Sequence, residues 1–268
     1  MPPILRDIDE TRAPLIEHLV ELRRRLLYCL AAVGVCFAVA FHYAAEIFAI
    51  LTWPLVQAFG PSGGTLIYTK LYEAFFVEVK VALFAASLLA FPVIASQLWA
   101  FVAPGLYRRE KQALLPFIVA TPILFGAGAS LAYFVVMPTA FRFFLGFQHA
   151  GTGSGIGQTA MPTMENYLSF VMHFIFAFGI AFLLPLLLIL LERAGVVTRA
   201  TLISGRRYAI VAAFAIAAVA TPPDVVSQLM LAVPLVLLYE LTMLFLWITE
   251  RRRGSAPAEA GTDSLPAE

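Results

Sequence analysis

The residue types that most often carry catalysis or hold metals are few and scattered in this chain. Its four histidines show no spacing typical of a metal site: His18, His42, His149 and His173. Cys29 and Cys36 lie on one predicted helix about 10.5 Å apart along its axis, too far for a disulfide within that helix. Four glycines match neither a nucleotide fingerprint nor a P-loop: Gly151, Gly153, Gly155 and Gly157. The sequence therefore predicts no metal, no cofactor and no enzyme.

Two glutamates lie among clustered basic residues. Glu21 precedes Arg25 by four residues, so the two side chains can pair on one helix surface. The surrounding segment, Leu15–Leu26, has a leucine stripe, and we expect it to lie along the membrane interface before the chain turns into its first span. Glu110 would open a helix, where the helix dipole favours an acid. Each glutamate has an ordinary explanation, and neither predicts a function by itself.

The elements that must position these residues are long apolar stretches. A helix needs about 20 predominantly apolar residues to cross the hydrocarbon of a bilayer. The charge-free stretches predict six such spans, at about 26–48, 75–101, 112–137, 165–191, 207–221 and 225–248. Apolar residues make up 61% of the chain, compared with roughly 45–50% in a soluble domain. The predicted fold class is an all-α polytopic membrane protein.

The basic residues give the predicted spans an orientation. Of the 18 lysines and arginines, 15 fall before span one, between spans two and three, between four and five, or after span six. By the positive-inside rule, both termini are cytoplasmic. The net charge of +1 disfavours nucleic-acid binding. A cleaved signal peptide ending near Ala40 is the alternative, but five acids precede its apolar run and its removal would leave an odd number of spans.

The chain predicts one domain, because its connectors are short and no repeat of 20–50 residues occurs. We expect residues 1–253 to form a single six-span membrane domain, a kinked concave bundle, and residues 254–268 to form a disordered cytoplasmic tail. Helices five and six are short and tightly joined, which would thin the bilayer locally. Asp224 can cap the start of helix six, and a functional role for it is equally open.

Three motifs together are more informative than either glutamate. They are His18-Leu19-x-Glu21-Leu22-Arg23-x-Arg25-Leu26, Phe101-x-Ala103-Pro104-Gly105-Leu106-Tyr107-x-x-Glu110, and Thr221-Pro222-Pro223-Asp224-x-x-Ser227-Gln228. In this order on a six-span chain they resemble the TatC family, the receptor core of the twin-arginine protein translocase. The resemblance runs from about Leu15 to Trp247 and includes Trp53-Pro54-Leu55.

The resemblance implies a signal-peptide site at the cytoplasmic face. Members bind peptides with consecutive arginines through acids that match Glu21 and Glu110, and Arg23 and Phe101 match other sensitive positions. A guanidinium forks onto a carboxylate in two parallel hydrogen bonds, which an ammonium cannot reproduce. Two such carboxylates in one site can therefore select a peptide with two arginines over one with two lysines. The resemblance further implies export of folded proteins across a bacterial or archaeal cytoplasmic membrane, driven by the proton-motive force.

The resemblance also implies partner subunits. Pro54 matches a sensitive position in the first outer loop, and Thr221 and Gln228 match a polar patch where the single-span subunits TatA or TatB dock. A polar group that faces lipid needs a partner, although satisfaction inside the bundle is equally open for this patch. Association between copies of the chain in the complex is expected as well.

One departure from the family concerns Leu183, where members commonly have Glu or Gln. An ionisable group inside the membrane is costly and usually functional, so its absence indicates that a carboxylate is not indispensable there or that the chain is divergent. His173 lies ten residues away, about 15 Å along a helix, and is no obvious substitute. Packing explains His173 more simply.

Two other classes of membrane protein remain as alternatives. A secondary transporter of a small solute should show repeats and a charged site at mid-membrane, but the span centres are nearly free of acids and bases. A membrane-embedded protease or transferase would need a catalytic constellation at that depth, which the scattered histidines do not provide. The sequence therefore favours the translocase subunit.

Overall fold

The computed structural model describes residues 3–60, 64–106, 115–148, 160–193, 195–221 and 224–254. Their helices are α1 (Pro3–His42), α2 (Ala44–Phe59), α3 (Glu73–Leu106), α4 (Leu115–Leu131), α5 (Met137–Leu145), α6 (Met164–Ala181), α7 (Leu184–Arg193), α8 (Arg199–Ser204), α9 (Arg206–Ala220) and α10 (Val225–Gly254). A π-helical turn, Ala132–Val136, joins α4 to α5. Within these ranges the only β feature is an isolated bridge between Ile67 and Thr163. The described chain is therefore all-helical, as predicted.

Five helical segments in the described part of the chain are long and apolar enough to cross a membrane: His18–His42, Glu73–Phe101, Leu115–Leu145, Met164–Arg193 and Val225–Arg251. They overlap five of the six predicted spans. The remaining prediction, 207–221, coincides with α9, whose 15 residues reach about 22 Å, less than a hydrocarbon core of about 30 Å. The chain is thus a multi-pass membrane protein, and α9 is as short as the sequence indicated.

The first helix differs from the prediction at its start. α1 continues from Pro3 to His42 without interruption, so the turn expected near Leu26 is wrong. The reason is local, because neither glycine nor proline occurs between Leu15 and Val33 to end a helix. α1 then packs along α3 through buried alanines: Ala40, Ala82, Ala85 and Ala86.

The centre of the bundle is the contact between α4 and α6. Phe174 and Phe178 of α6 are fully buried. A Cβ at Gly128 would collide with the carbonyl oxygen of Phe178, and one at Gly179 would lie 2.5 Å from the Phe125 ring. The glycines therefore let the two helices approach closely, which is the packing role that small residues have in membrane helices.

The fourth predicted span is broken in the middle. α6 ends at Ala181 and α7 begins at Leu184, with a turn at Phe182 and Leu183 between them. Pro185 lies at the start of α7, and its ring and missing N–H disfavour a continuous helix through the preceding turn. The sequence predicted a kinked bundle, and this break places Leu183 at a bend.

The bundle has two ends that we name by their helices. At the α2 end, α2 and the loop 64–72 meet the start of α6, where Met164 N donates to the carbonyl oxygen of Ile67 at 2.8 Å. At the α8 end, the last part of α3 meets α1 at His18 and the start of α4 at Phe117, and α8 packs against α10 through Leu202 and Tyr239. Those predicted functional residues that the structure describes fall at these two ends.

Candidate functional site

Glu21 and Arg25 form the predicted pair at the α8 end. Nε and Nη2 of Arg25 donate to the same carboxylate oxygen, Oε1 of Glu21, at 3.0 and 2.5 Å. Nη1 of Arg25 also reaches Oε1 of Gln97 on α3 at 3.4 Å. The side chains remain partly accessible, at 26% for Glu21 and 18% for Arg25. The i,i+4 pairing is confirmed, and Gln97 is a contact that the sequence did not indicate.

Phe101 lies beside this pair through an aromatic contact. His18, one helical turn before Glu21, stacks on the Phe101 ring with centroids 4.3 Å apart and planes 21° apart. This contact joins α1 to α3 in the same region as the contact between Arg25 and Gln97. The structure therefore brings Glu21 and Phe101 into one region. The sequence assigned no role to His18, because a contact across 83 residues has no local signal.

The other two residues of the predicted peptide site differ in what the structure says of them. Arg23 is exposed and forms no ion pair with any described residue. Glu110 lies outside the described residues. Its role beside Glu21 stays a prediction.

Pro54 lies inside α2 and is buried. Because proline has no N–H, the carbonyl oxygen of Ile50, four residues earlier, loses its helical donor. The hydroxyl of Tyr133 donates to that oxygen at 2.6 Å, and the Tyr133 ring stacks on Trp53 with centroids 5.6 Å apart. Tyr133 belongs to the π-helical turn, and such turns are frequent at functional sites. Pro54 thus creates the acceptor by which α2 docks on the bundle.

A second tyrosine anchors the same helix. Tyr167 of α6 is buried, and its hydroxyl donates to the carbonyl oxygen of Leu51 at 2.7 Å. Two tyrosines from different helices therefore hold adjacent carbonyls of α2. The fixed position of Pro54 follows from contacts that no sequence motif displayed.

Glu73 joins three segments at the α2 end. It is 3% exposed, and its carboxylate accepts hydrogen bonds from the N–H of Thr69 at 2.8 Å, the Thr69 hydroxyl at 3.1 Å, the N–H of Lys70 at 3.3 Å and the N–H of Glu165 at 3.2 Å. The Glu165 carboxylate in turn pairs with Lys80 of α3 at 2.5 Å. This network ties the loop before α3 to the start of α6, and sequence reasoning missed it.

The predicted partner-docking residues lie where α9 meets α10. Thr221 is buried and its hydroxyl donates to the carbonyl oxygen of Ala217 at 2.8 Å, while Nε2 of Gln228 reaches the carbonyl oxygen of Phe214 at 3.4 Å. Oδ1 of Asp224 accepts the N–H of Ser227 at 2.7 Å, which confirms the predicted N-cap. Oδ2 of Asp224 and Oγ of Ser227 are buried without a partner among the described residues.

A groove runs beside α9. Its larger cavity has a volume of about 850 Å³, is walled almost wholly by apolar side chains and includes Leu183. A second cavity of about 320 Å³ is lined by three polar side chains, Ser169, His173 and Thr221. The two cavities share Val219 and Ala220. The groove is therefore apolar along most of its length and polar towards the α2 end.

The groove has the length of a membrane span. From Ser169 to Leu190, the chain of α6 and α7 rises roughly 30 Å, which equals the thickness of a bilayer core. Among the described residues no group of three or more His, Cys, Asp or Glu could hold a metal. Fold and site together define a multi-pass helical membrane protein with polar side chains gathered at its two ends and one groove that is mostly apolar.

Comparison with known proteins gives this class a family. The profile described as Sec-independent protein translocase protein (TatC) matches residues 17–234. Curated TatC proteins from Magnetococcus marinus and Escherichia coli K12 are 47% and 39% identical over 249 and 238 residues, covering 93% and 89% of this chain and 89% of each relative. The chain belongs to the TatC family of Sec-independent protein translocase proteins.

Solved structures agree with the sequence comparisons. A crystal structure of the twin arginine translocase receptor TatC in the detergent DDM matches with a TM-score of 0.72 and 38% identity, covering 85% of this chain and 98% of that one. A second crystal structure of that receptor matches with a TM-score of 0.71 at the same identity. The recognition made from the three motifs is thereby confirmed, and with it a role in protein transport by the Tat route.

Proposed function

We propose that this chain is the translocase subunit that captures twin-arginine signal peptides, with Glu21 and Glu110 as the acceptors. The observation that carries the proposal is the environment of Glu21. Its carboxylate already binds a guanidinium, is partly accessible, and lies beside Phe101 at an end of the bundle that is rich in cations. A carboxylate that binds a guanidinium in this setting is chemically suited to bind the guanidinium of a peptide arginine.

The proposed recognition depends on the shape of the arginine side chain. A guanidinium presents a planar fork that matches the two oxygens of a carboxylate, whereas an ammonium is a point charge. Near the headgroups less water competes with these pairs, so each should contribute more than a fully exposed ion pair does. A peptide with two lysines should therefore bind poorly. Arg23 and Phe101 complete the surface around Glu21 in this proposal.

The proposed orientation places the α8 end in the cytoplasm. The described cations at that end include Arg25, Arg193, Arg199, Arg206, Arg207 and Arg251. By the positive-inside rule this end faces the cytoplasm, with α9 as a short sixth span and both termini inside. The membrane is the cytoplasmic membrane of a bacterium or archaeon. Residues 1–253 act as one membrane domain, and the tail 254–268 lies outside the described residues apart from its first residue.

The proposed partners are single-span subunits of the TatA or TatB type, which dock beside Thr221 and Gln228. The groove along α9 supports this proposal, because it is about one bilayer long, apolar along most of its wall and polar near Thr221. A transmembrane helix fits such a surface better than a small solute does. Asp224, whose buried Oδ2 has no partner among the described residues, and Pro54, which fixes α2, support the outer part of the assembly. Copies of the chain associate in the working complex, which uses the proton-motive force and performs no covalent chemistry.

The peptide site is tested by Glu21→Gln and Glu110→Gln. Each change removes a charged acceptor and little packing, so each variant should fold but crosslink a twin-arginine signal peptide several-fold less efficiently. The measurement is photocrosslinking in membranes, with a lysine-pair peptide as a second probe. Glu78→Gln, an exposed glutamate at the α2 end, is the matched control and should crosslink as the parent does. Undiminished crosslinking in both site variants would show that the carboxylate fork is wrong.

The docking site is tested by single cysteines. A cysteine at Gln228 should form a disulfide with a cysteine in the transmembrane helix of a coexpressed TatA-type or TatB-type subunit. A cysteine at Gly126, where added side-chain atoms meet open space, is the control and should crosslink weakly. Strong crosslinks from Gly126 with none from Gln228 would move the partner to α4 and sink the assignment.

A further inference from the structure

Arg25 occupies the carboxylate that the proposed function assigns to the signal peptide. Two of its donors, Nε and Nη2, both point to Oε1 of Glu21, at 3.0 and 2.5 Å. Oε2 of Glu21 accepts no hydrogen bond from any described residue. The Arg25 guanidinium is thus bound to one of the two carboxylate oxygens of Glu21, and the other oxygen has no described donor.

This arrangement conflicts with forked recognition. A bidentate pair uses both carboxylate oxygens and two parallel N–H donors of one guanidinium. While Arg25 fills Oε1, a peptide arginine can reach Oε2 alone, and it approaches a like charge in doing so. The full fork therefore requires Arg25 to leave Glu21.

The structure also provides a place for Arg25 to go. Nη1 of Arg25 lies 3.4 Å from Oε1 of Gln97 on the neighbouring helix α3, a long contact that could shorten once Glu21 is released. The Arg25 side chain is 18% exposed, so it is not fully enclosed by the bundle. Arg25 can thus exchange an acceptor on its own helix for one on α3 without unfolding either helix.

From these contacts we infer that Arg25 is a built-in competitor for the signal peptide, a residue that sets the affinity threshold of the receptor. The inference rests on the proposed function of Glu21. When only a fraction of molecules has a free binding site, apparent affinity falls by that fraction. The same factor applies to every peptide that needs both oxygens of Glu21. Weak ligands then fall below detectable occupancy, while a twin-arginine peptide stays bound.

The test measures the dissociation constant of a fluorescent twin-arginine peptide for the purified full chain in nanodiscs. Arg25→Gln should tighten binding roughly three- to tenfold, the range expected from freeing a partly exposed ion pair. Arg24→Gln removes the same charge one residue away, on an exposed side chain without an ion pair to a described residue. This control isolates the loss of one positive charge, and its effect should be smaller than twofold.

Two further variants and a second peptide define the outcome. Arg25→Lys keeps the charge but loses the two-donor contact, and should tighten binding less than Arg25→Gln does. In a Glu21→Gln background, Arg25→Gln should bring no gain, because the gain acts through Glu21. A lysine-pair peptide, which forms no fork on Glu21, should gain no more than the arginine peptide does.

The inference and the proposed function fail in different ways. If Arg25→Gln weakens binding, or matches Arg24→Gln, then Arg25 positions Glu21 or is neutral and the competitor idea is overturned, whatever Glu21→Gln does. If Glu21→Gln leaves binding unchanged, the carboxylate site itself is wrong. Size-exclusion profiles of all variants, compared with the parent, ensure that a loss of binding is not a loss of fold.

Discussion

Two glutamates, one at each end of the bundle, are bound in opposite ways. Glu73 is 3% exposed and accepts hydrogen bonds from three different residues, one of them on another helix. Glu21 is 26% exposed, and its described hydrogen bonds come from a single residue of its own helix. Both carboxylate oxygens of Glu73 accept hydrogen bonds from the fold. In Glu21 only Oε1 accepts a hydrogen bond from a described residue.

The contrast separates structural acids from acids available to a ligand. A buried carboxylate filled by N–H and O–H donors stabilises the segments that donate to it, and its removal leaves those donors unsatisfied. An accessible carboxylate with one local partner contributes little to stability and can exchange that partner. The α2 end is accordingly fixed by hydrogen bonds between its segments, including those from Tyr133 and Tyr167. The α8 end is the surface where a carboxylate is suited to exchange one guanidinium partner for another.

The largest expected effect is on Glu73. Glu73→Gln would place an amide group among donors and lose the charge that they surround, so we expect the apparent Tm in detergent to fall by several degrees. Glu21→Gln should leave the Tm within about one degree of the parent, because a partly accessible pair between neighbouring turns of one helix contributes only a few tenths of a kcal/mol. Equal Tm values for the two variants would break the distinction between the ends.

An intermediate effect should come from the tyrosine that serves Pro54. Tyr133→Phe removes the donor to Ile50 and leaves a carbonyl oxygen without its partner, which costs about 1–2 kcal/mol. Pro54→Ala restores an N–H four residues after Ile50, so in that background Tyr133→Phe should cost less. A double-mutant cycle on unfolding free energy measures this coupling. Simple additivity would show that Tyr133 does not serve the acceptor created by the proline.

The sequence revealed those parts of this design that are local. Charge-free stretches located the spans, and four-residue spacing predicted the contact of Glu21 with Arg25. The cap by Asp224 was equally local, since its acceptor lies three residues from the donor. Contacts between distant segments were not predictable, because the donor to Ile50 lies 83 residues away and Glu73 meets Glu165 across 92 residues. The continuous α1 was missed for another reason, since an apolar stripe does not distinguish an interfacial helix from the start of a span.

The smallest expected effect concerns Leu183, which lies between the two ends at the bend between α6 and α7. Leu183→Glu would place a carboxyl in the wall of the apolar groove, away from the environments of Glu21 and Glu73. A charged glutamate at mid-membrane costs roughly 2.5–3.5 kcal/mol on the insertion scale, and protonation or a polar partner lowers that cost. The variant should therefore fold, bind its single-span partner with altered affinity and transport at a rate modestly different from the parent.

The parent protein provides the decisive comparison for that variant. Transport is measured as export of a folded twin-arginine reporter, with Leu183→Gln as the uncharged control. If a carboxyl at this position were an obligatory proton carrier, the parent would be inactive and Leu183→Glu would switch transport on, whereas Leu183→Gln would not. Similar transport by all three would mean that the groove binds partners without a carboxyl at its bend.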